Sequence, residues 1–148
     1  MLKNYKELKV WQKAYQLCGE IYKSTRSFPK EERYGLTSQI RRSAVSVPSN
    51  IAEGYGRKTT QEYISEFGSI GQALYIAYGS NCELETQILL AGDLRYLKAD
   101  LKTHNSCSFE KLKLESESIG KDIEEVERML KGLIKSLENK HPIGSKWT

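Results

Sequence analysis

The 148-residue chain carries 23 Lys+Arg against 19 Asp+Glu, a net charge of +4, with 39% hydrophobic residues. This is enough for one domain whose core needs no staples. Its three cysteines (Cys18, Cys82, Cys107) lack Cys-x-x-Cys spacing, which argues against disulfide scaffolding or zinc and for a reducing cytoplasm, the thiols acting as small hydrophobes. The opening MLKNYKELKVWQKAYQ lacks a signal-peptide core and no apolar run approaches the ~18 residues of a membrane span, so a soluble, cytoplasmic protein is expected.

The first helix is predicted to start near Asn4, an N-cap type, with Glu7 as its capping-box-like partner. Leu8, Trp11, Tyr15, Cys18 and Tyr22 then recur by three and four, the pattern of a bundle seam. Ser27-Phe28-Pro29 ends that helix. Pro29 opens the next, with Glu31 and Glu32 in the first turn where the macrodipole favours them. This second helix is read to about Tyr55, with Gly54 and Gly56 marking its end.

Within it, the stretch 36–57 keeps Leu36, Ile40, Ala44, Val47 and Ile51 at helical spacing straight through Pro48. A mid-helix proline removes one backbone hydrogen bond and presses its ring on the carbonyl of Ala44, at a cost of about 3 kcal/mol. The opposite face carries Gln39, Arg42, Ser46, Ser49, Glu53 and Arg57, a mix of small and charged residues where function is expected.

Thr59 and Glu62 form a capping box for a third helix, whose seam reads Phe67, Ile70, Leu74, Ala77, Asn81, Leu84 and Ile88. Gly68, Gly71, Gly79 and Ser80 lie along it. Each glycine costs roughly 1 kcal/mol against alanine, so close helix packing is expected to compensate. The segment 98–108 is a polar connection. In the fourth helix Leu112, Ile119, Ile123, Val126, Leu130, Leu133 and Leu137 keep heptad register, broken only by Ser116. No segment alternates as a strand. The expected fold is all-α, an up-down-up-down antiparallel four-helix bundle over residues 1–140, followed by a loose tail at 141–148.

Catalytic chemistry is missing from the pattern. The two histidines, His104 and His141, sit in the polar connection and the tail, and no Glu-x-x-His pair, Gly-x-Ser-x-Gly elbow or Walker loop occurs. Glu83 and Glu85, two apart on a helix, point ~200° apart and cannot share a proton or a metal. Glu85 flanks the seam within reach of an arginine, and Glu83 is expected to face outward. GYGRK at 54–58 reads as a helix terminator. We therefore expect no enzyme, catalytic residue, metal, cofactor or small-molecule substrate. Tyr55, Tyr63, Tyr75 and Tyr78, among nine tyrosines, are read as rings buried at helix interfaces with wet hydroxyls. Stacking on unpaired bases is the alternative use.

Residues 1–58 hold 12 Lys+Arg against 5 Asp+Glu, a net +7, and residues 59–148 hold 11 against 14, a net −3. A basic first half suits nucleic acid, and equally suits docking on the acidic half of a neighbouring copy.

The pieces LKVWQKAY at 8–15, FPKEERYGLTSQIRRSAVSVPSNIAEGYGR at 28–57, IAYGSNCELETQ at 76–87 and IGKDIEEVERMLKGLIKSL at 119–137 resemble the bacterial 23S rRNA intervening-sequence proteins, also called four-helix bundle proteins. The chain departs from that pattern by about seven extra residues around 66–72. One added heptad keeps the seam in phase and lengthens the helix by ~10 Å, which bears on assembly geometry. The chain is also similar to the accessory protein of diversity-generating retroelements. The resemblance implies a homo-oligomer, by analogy a pentameric ring, and a role beside ribosomal RNA or another nucleic acid.

Two functions follow. In the first, an oligomer binds RNA or DNA with little sequence specificity through Arg26, Lys30, Arg33, Arg41, Arg42, Arg57 and Lys58, releasing counterions from phosphates. In the second, the oligomer is a scaffold for a protein partner, with Ser46, Ser49, Ala52 and Glu53 at the subunit contact. The first predicts arginines without carboxylate partners; the second predicts arginines paired with Glu53, Glu83 or Glu85.

Overall fold

The computed structural model describes residues 4–56, 68–97 and 109–140. They form four helices, α1 (Lys9–Ser24), α2 (Leu36–Gly56), α3 (Gly68–Asp93) and α4 (Phe109–Lys140), with no strand among the described residues. Each helix packs on two neighbours, α2 most extensively on α3, and α1 meets α4 to close the bundle. Cross-helix pairs run in opposite chain directions. Ser43 meets Glu83 and Ser46 meets Ser80 between α2 and α3. Tyr75 meets Glu138, Tyr78 meets Glu127 and Asn81 meets Ile123 between α3 and α4. These neighbours are therefore antiparallel, and the all-α up-down-up-down reading holds.

The seam of α1 differs from the sequence expectation. Asn4 accepts from the Lys6 backbone N–H and caps a 3-10 turn, Tyr5–Glu7, and α1 itself starts at Lys9. The buried stripe is Val10, Ala14, Leu17 and Ile21, together with Leu8, whereas Tyr15 is 63% and Tyr22 40% exposed. Two stripes with the same spacing run along this helix. The aliphatic one is buried because it desolvates without leaving a hydroxyl or indole N–H to satisfy. Trp11 and Cys18 pack at its margin, and burial pushes the Cys18 thiol above its ordinary range.

The α1–α2 connection also differs from expectation. After Ser24 the chain makes two 3-10 turns, Thr25–Ser27 and Lys30–Glu32, and α2 begins only at Leu36. Glu32 serves the helix from outside: its Oε2 accepts the Leu36 backbone N–H at 2.8 Å, satisfying one of the free donors of the first turn. Gly35 permits this approach, since a Cβ there would lie 2.9 Å from Glu32 Oε2.

Pro48 lies inside α2, and the helix continues through it with Ile40, Ala44, Val47, Pro48 and Ile51 all buried. Burying the proline ring in the core offsets the lost hydrogen bond, each buried methylene contributing about 0.8 kcal/mol. In α3, Leu74, Ala77, Asn81, Leu84 and Ile88 are buried as expected. Asn81 Nδ2 donates to the Ile123 carbonyl at 3.0 Å, which ties α3 to α4 inside the core. Gly79 departs from expectation: it is exposed, with nothing within 4 Å of a Cβ built on it. The close approach of α2 and α3 occurs instead at Gly54, over Ala73 and Ile70, and at the Ser46–Ser80 contact of 2.8 Å.

α3 ends with Arg95 at φ 60, and the Arg95 and Tyr96 backbone N–H groups return to the carbonyls of Gly92 and Ala91, a Schellman closure. In α4, Ile119, Ile123, Val126, Leu130 and Ile134 are buried, and Leu133 and Leu137 flank them. The Thr59–Glu62 capping box, Tyr63, Phe67, the connection at 98–108 with His104 and Cys107, the side chains of Leu112 and Ser116, and the tail at 141–148 lie outside the described residues. Among the described residues, no helix is long and apolar enough to cross a membrane.

Candidate nucleic-acid interface

The C-terminal end of α1 and the N-terminal half of α2 enclose an open groove of about 640 Å³, lined by Tyr22, Arg33, Tyr34, Thr37, Ser38, Arg41, Arg42, Val45 and Ser46. It exists because the aromatic stripe of α1 stays outside the core, beside the arginine face of α2. Arg41 is the most firmly held of its cations. Its Nε donates to Thr25 Oγ1 at 2.9 Å and its guanidinium lies 4.8 Å from the Tyr22 ring centroid. Thr25 is itself fixed, its hydroxyl donating to the Ile21 carbonyl at 2.8 Å, and it is the C-cap of α1, where the helix dipole favours a cation. Among the described residues the guanidinium makes no further hydrogen bond, which leaves its other N–H donors for a ligand.

Arg33 lies 5.6 Å from the ring of Tyr34, which is 88% exposed. Arg42 is exposed, one residue along α2 from Arg41. Thr37, on the groove lining, has a buried hydroxyl with no hydrogen-bond partner.

The groove arginines keep their charge unneutralised: among the described residues, none of Arg33, Arg41 and Arg42 is within ion-pair distance of a carboxylate. Among the described residues, three lysines are paired. Lys13 reaches Asp122 at 2.9 Å and Glu125 at 3.2 Å, and these hydrogen bonds raise its pKa; Lys23 reaches Glu20, and Lys131 reaches Glu127 at 2.6 Å. Two acids of this region are engaged elsewhere. Glu32 caps α2, and Glu83, expected to face outward, is exposed but turned to α2, where it accepts from Ser43 Oγ at 3.2 Å. Glu85 is half-buried and makes no ion pair among the described residues.

Of the seven cations that the sequence pattern selects, the structure gathers Arg33, Arg41 and Arg42 in one groove. Arg26 and Lys30 are exposed on the two 3-10 turns and do not line it, and Arg57 and Lys58 lie outside the described residues. Of the four residues expected at a subunit contact, Ser46 faces α3 of its own chain, bonded to Ser80 and to Asn50. Ser49 and Glu53 are exposed and Ala52 is half-buried. Sequence reasoning misses Tyr22 and Tyr34 as groove residues. Spacing places Tyr22 in the core stripe, and the usable signal for Tyr34 is its place between Arg33 and Gly35 in a turn.

The other tyrosines divide. Tyr55 and Tyr78 pack against the core, with Tyr78 Oη donating to Glu127 at 3.2 Å, as the interface reading expects. Tyr75 is half exposed and donates to Glu138. Among the described residues, no group of three His, Cys, Asp or Glu side chains is placed to hold a metal ion. The family model described as 23S rRNA-intervening sequence protein matches residues 6–132 of the chain. No curated protein matches it.

Proposed function

The chain belongs to the 23S rRNA-intervening sequence protein family, and from that membership we propose that it is a non-enzymatic, homo-oligomeric nucleic-acid-binding protein of the cytoplasm. It takes RNA or DNA on its basic α1–α2 surface with little sequence specificity. The observation that carries the proposal is that Arg33, Arg41 and Arg42 share one groove and lack carboxylate partners among the described residues, whereas Lys13, Lys23 and Lys131 are paired. Charge left unneutralised on an ordered surface favours a polyanion, because each phosphate contact releases condensed counterions. Phosphate contacts of this kind supply affinity without reading sequence.

The assembly half of the proposal rests on α3. Tyr75, Ile76, Leu89 and Leu90 on α3, with Leu94 just beyond its end, are each about half exposed, an apolar surface suited to burial against another chain. A second copy covers it, and repetition around a ring, five copies by the family resemblance, multiplies the basic grooves. The same apolar face favours the second reading, a scaffold that docks a protein and never touches nucleic acid.

One sample separates the two. Native mass and RNA affinity are measured together across a salt series, for the wild type and for Arg41→Glu with Arg42→Glu. Three phosphate contacts per protomer predict a slope of log K against log salt of about −2 to −3, and a large loss of affinity in the charge-reversed protein at unchanged mass. A slope near zero, or equal affinity in an intact charge-reversed oligomer, refutes nucleic-acid binding and leaves the scaffold.

A further inference from the structure

Resting on the nucleic-acid reading, we propose that the groove between α1 and α2 accepts unpaired nucleotides of a single strand, with Tyr34 as the platform for a base. Three observations point the same way. Tyr34 is 88% exposed on a turn at the groove's edge, a position where burial does nothing to retain a large aromatic ring. The Arg33 guanidinium lies 5.6 Å from the ring centroid, and the 88% exposure of Tyr34 leaves ring surface open to a base. Arg41, oriented by Thr25 and Tyr22, presents a fixed fork in the same groove, and Arg42 follows it on α2.

Exposed aromatic rings interleaved with oriented arginines form the elementary single-strand site: the rings take base faces and the guanidinium groups take phosphates. A duplex has no use for Tyr34, because its base faces are stacked on one another and only its phosphates reach the arginines. Stacking is also indifferent to which base is offered, in keeping with binding of little sequence specificity.

The test uses fluorescence anisotropy with two labelled RNA probes, an oligo(U) of about ten nucleotides and a duplex of about ten base pairs, against the full-length oligomer. The expected result is tighter binding of oligo(U). Tyr34→Ala is expected to weaken oligo(U) by about tenfold with the duplex unchanged, and Tyr34→Phe, which keeps the ring face, to bind as the wild type does. Tyr34 is 88% exposed, so circular dichroism should report an intact fold. Equal binding of both probes, with Tyr34→Ala indistinguishable from wild type on oligo(U), overturns the single-strand inference and leaves the basic-surface reading standing. Absence of binding to either probe at low salt overturns that underlying reading instead.

Discussion

Gly54 offers a measurable test of how tightly α2 and α3 are joined. A Cβ built on it would lie 3.0 Å from the Ala73 Cβ, 3.5 Å from the Ile70 carbonyl oxygen and 3.7 Å from the Ile70 Cα. Alanine at this position gains about 1 kcal/mol of helix propensity. Against that, carbon atoms pack best at about 3.5–4.0 Å. Neither a methyl fixed to a helix nor a backbone atom can swing aside. The neighbouring helix must give by a few tenths of an ångström at this point, which loosens the contacts along the seam. Overpacking of this kind costs about 1–3 kcal/mol. Gly54→Ala is therefore expected to lose about 1 kcal/mol net, or about 3 °C in Tm for a chain of this size. Gly54→Val, with two more carbons at the same contact, should lose at least about 3 kcal/mol. Thermal melts followed by circular dichroism read both, with Gly19→Ala as control. Gly19 is exposed on α1 with nothing within 4 Å of its Cβ, so the control should gain about 0.5–1 kcal/mol from propensity alone. A Gly54→Ala protein that melts at or above the wild type, alongside a stabilised Gly19→Ala, would refute the close-approach argument.

Two further tests concern backbone and charge. Arg95 closes α3 at φ 60, a conformation that costs a side-chain-bearing residue about 1–2 kcal/mol; Arg95→Gly should raise the unfolding free energy by about 1 kcal/mol in denaturant melts, and a lowered midpoint would contradict the strain. The Glu127 carboxyl is held below its ordinary value of 4.5 chiefly by its hydrogen bond to Lys131. Its folded pKa is depressed, so the stabilisation is fully present above the unfolded value and is lost as pH falls through the folded one. Lys131 is solvent-exposed, so screening should keep the loss small, and Glu127→Gln should flatten the Tm profile between about pH 6 and pH 3; an unchanged profile would show that the pair contributes nothing.

Where a helix has one apolar stripe, its seam is legible from residue spacing alone. α2 is the clearest case, since Ile40, Ala44, Val47 and Ile51 have no rival face and Pro48 does not break their phase. On α1 two stripes share the same three-and-four spacing, so periodicity alone cannot choose between them, and the aromatic one read as the seam is the exposed one. The start of α2 is misread for a related reason. Acidic residues after Pro29 do mark a helix N-terminus, but Glu32 reaches the Leu36 N–H four residues on, across a turn that composition does not reveal.

The sequence by itself determined the fold class, the number of helices, the family and the basic character of the first half. Those depend on local periodicity, capping residues and charge, all of which act within a turn or two of chain. The groove was decided only by tertiary structure. Tyr22 and Arg41 are 19 positions apart, and they meet because burial of Val10, Ala14, Leu17 and Ile21 rotates the aromatic face of α1 toward the arginines of α2. Whether a cation is paired depends in the same way on where distant carboxylates land. Lys13 finds Asp122 and Glu125 across the α1–α4 contact, and Arg41 finds a threonine and a ring.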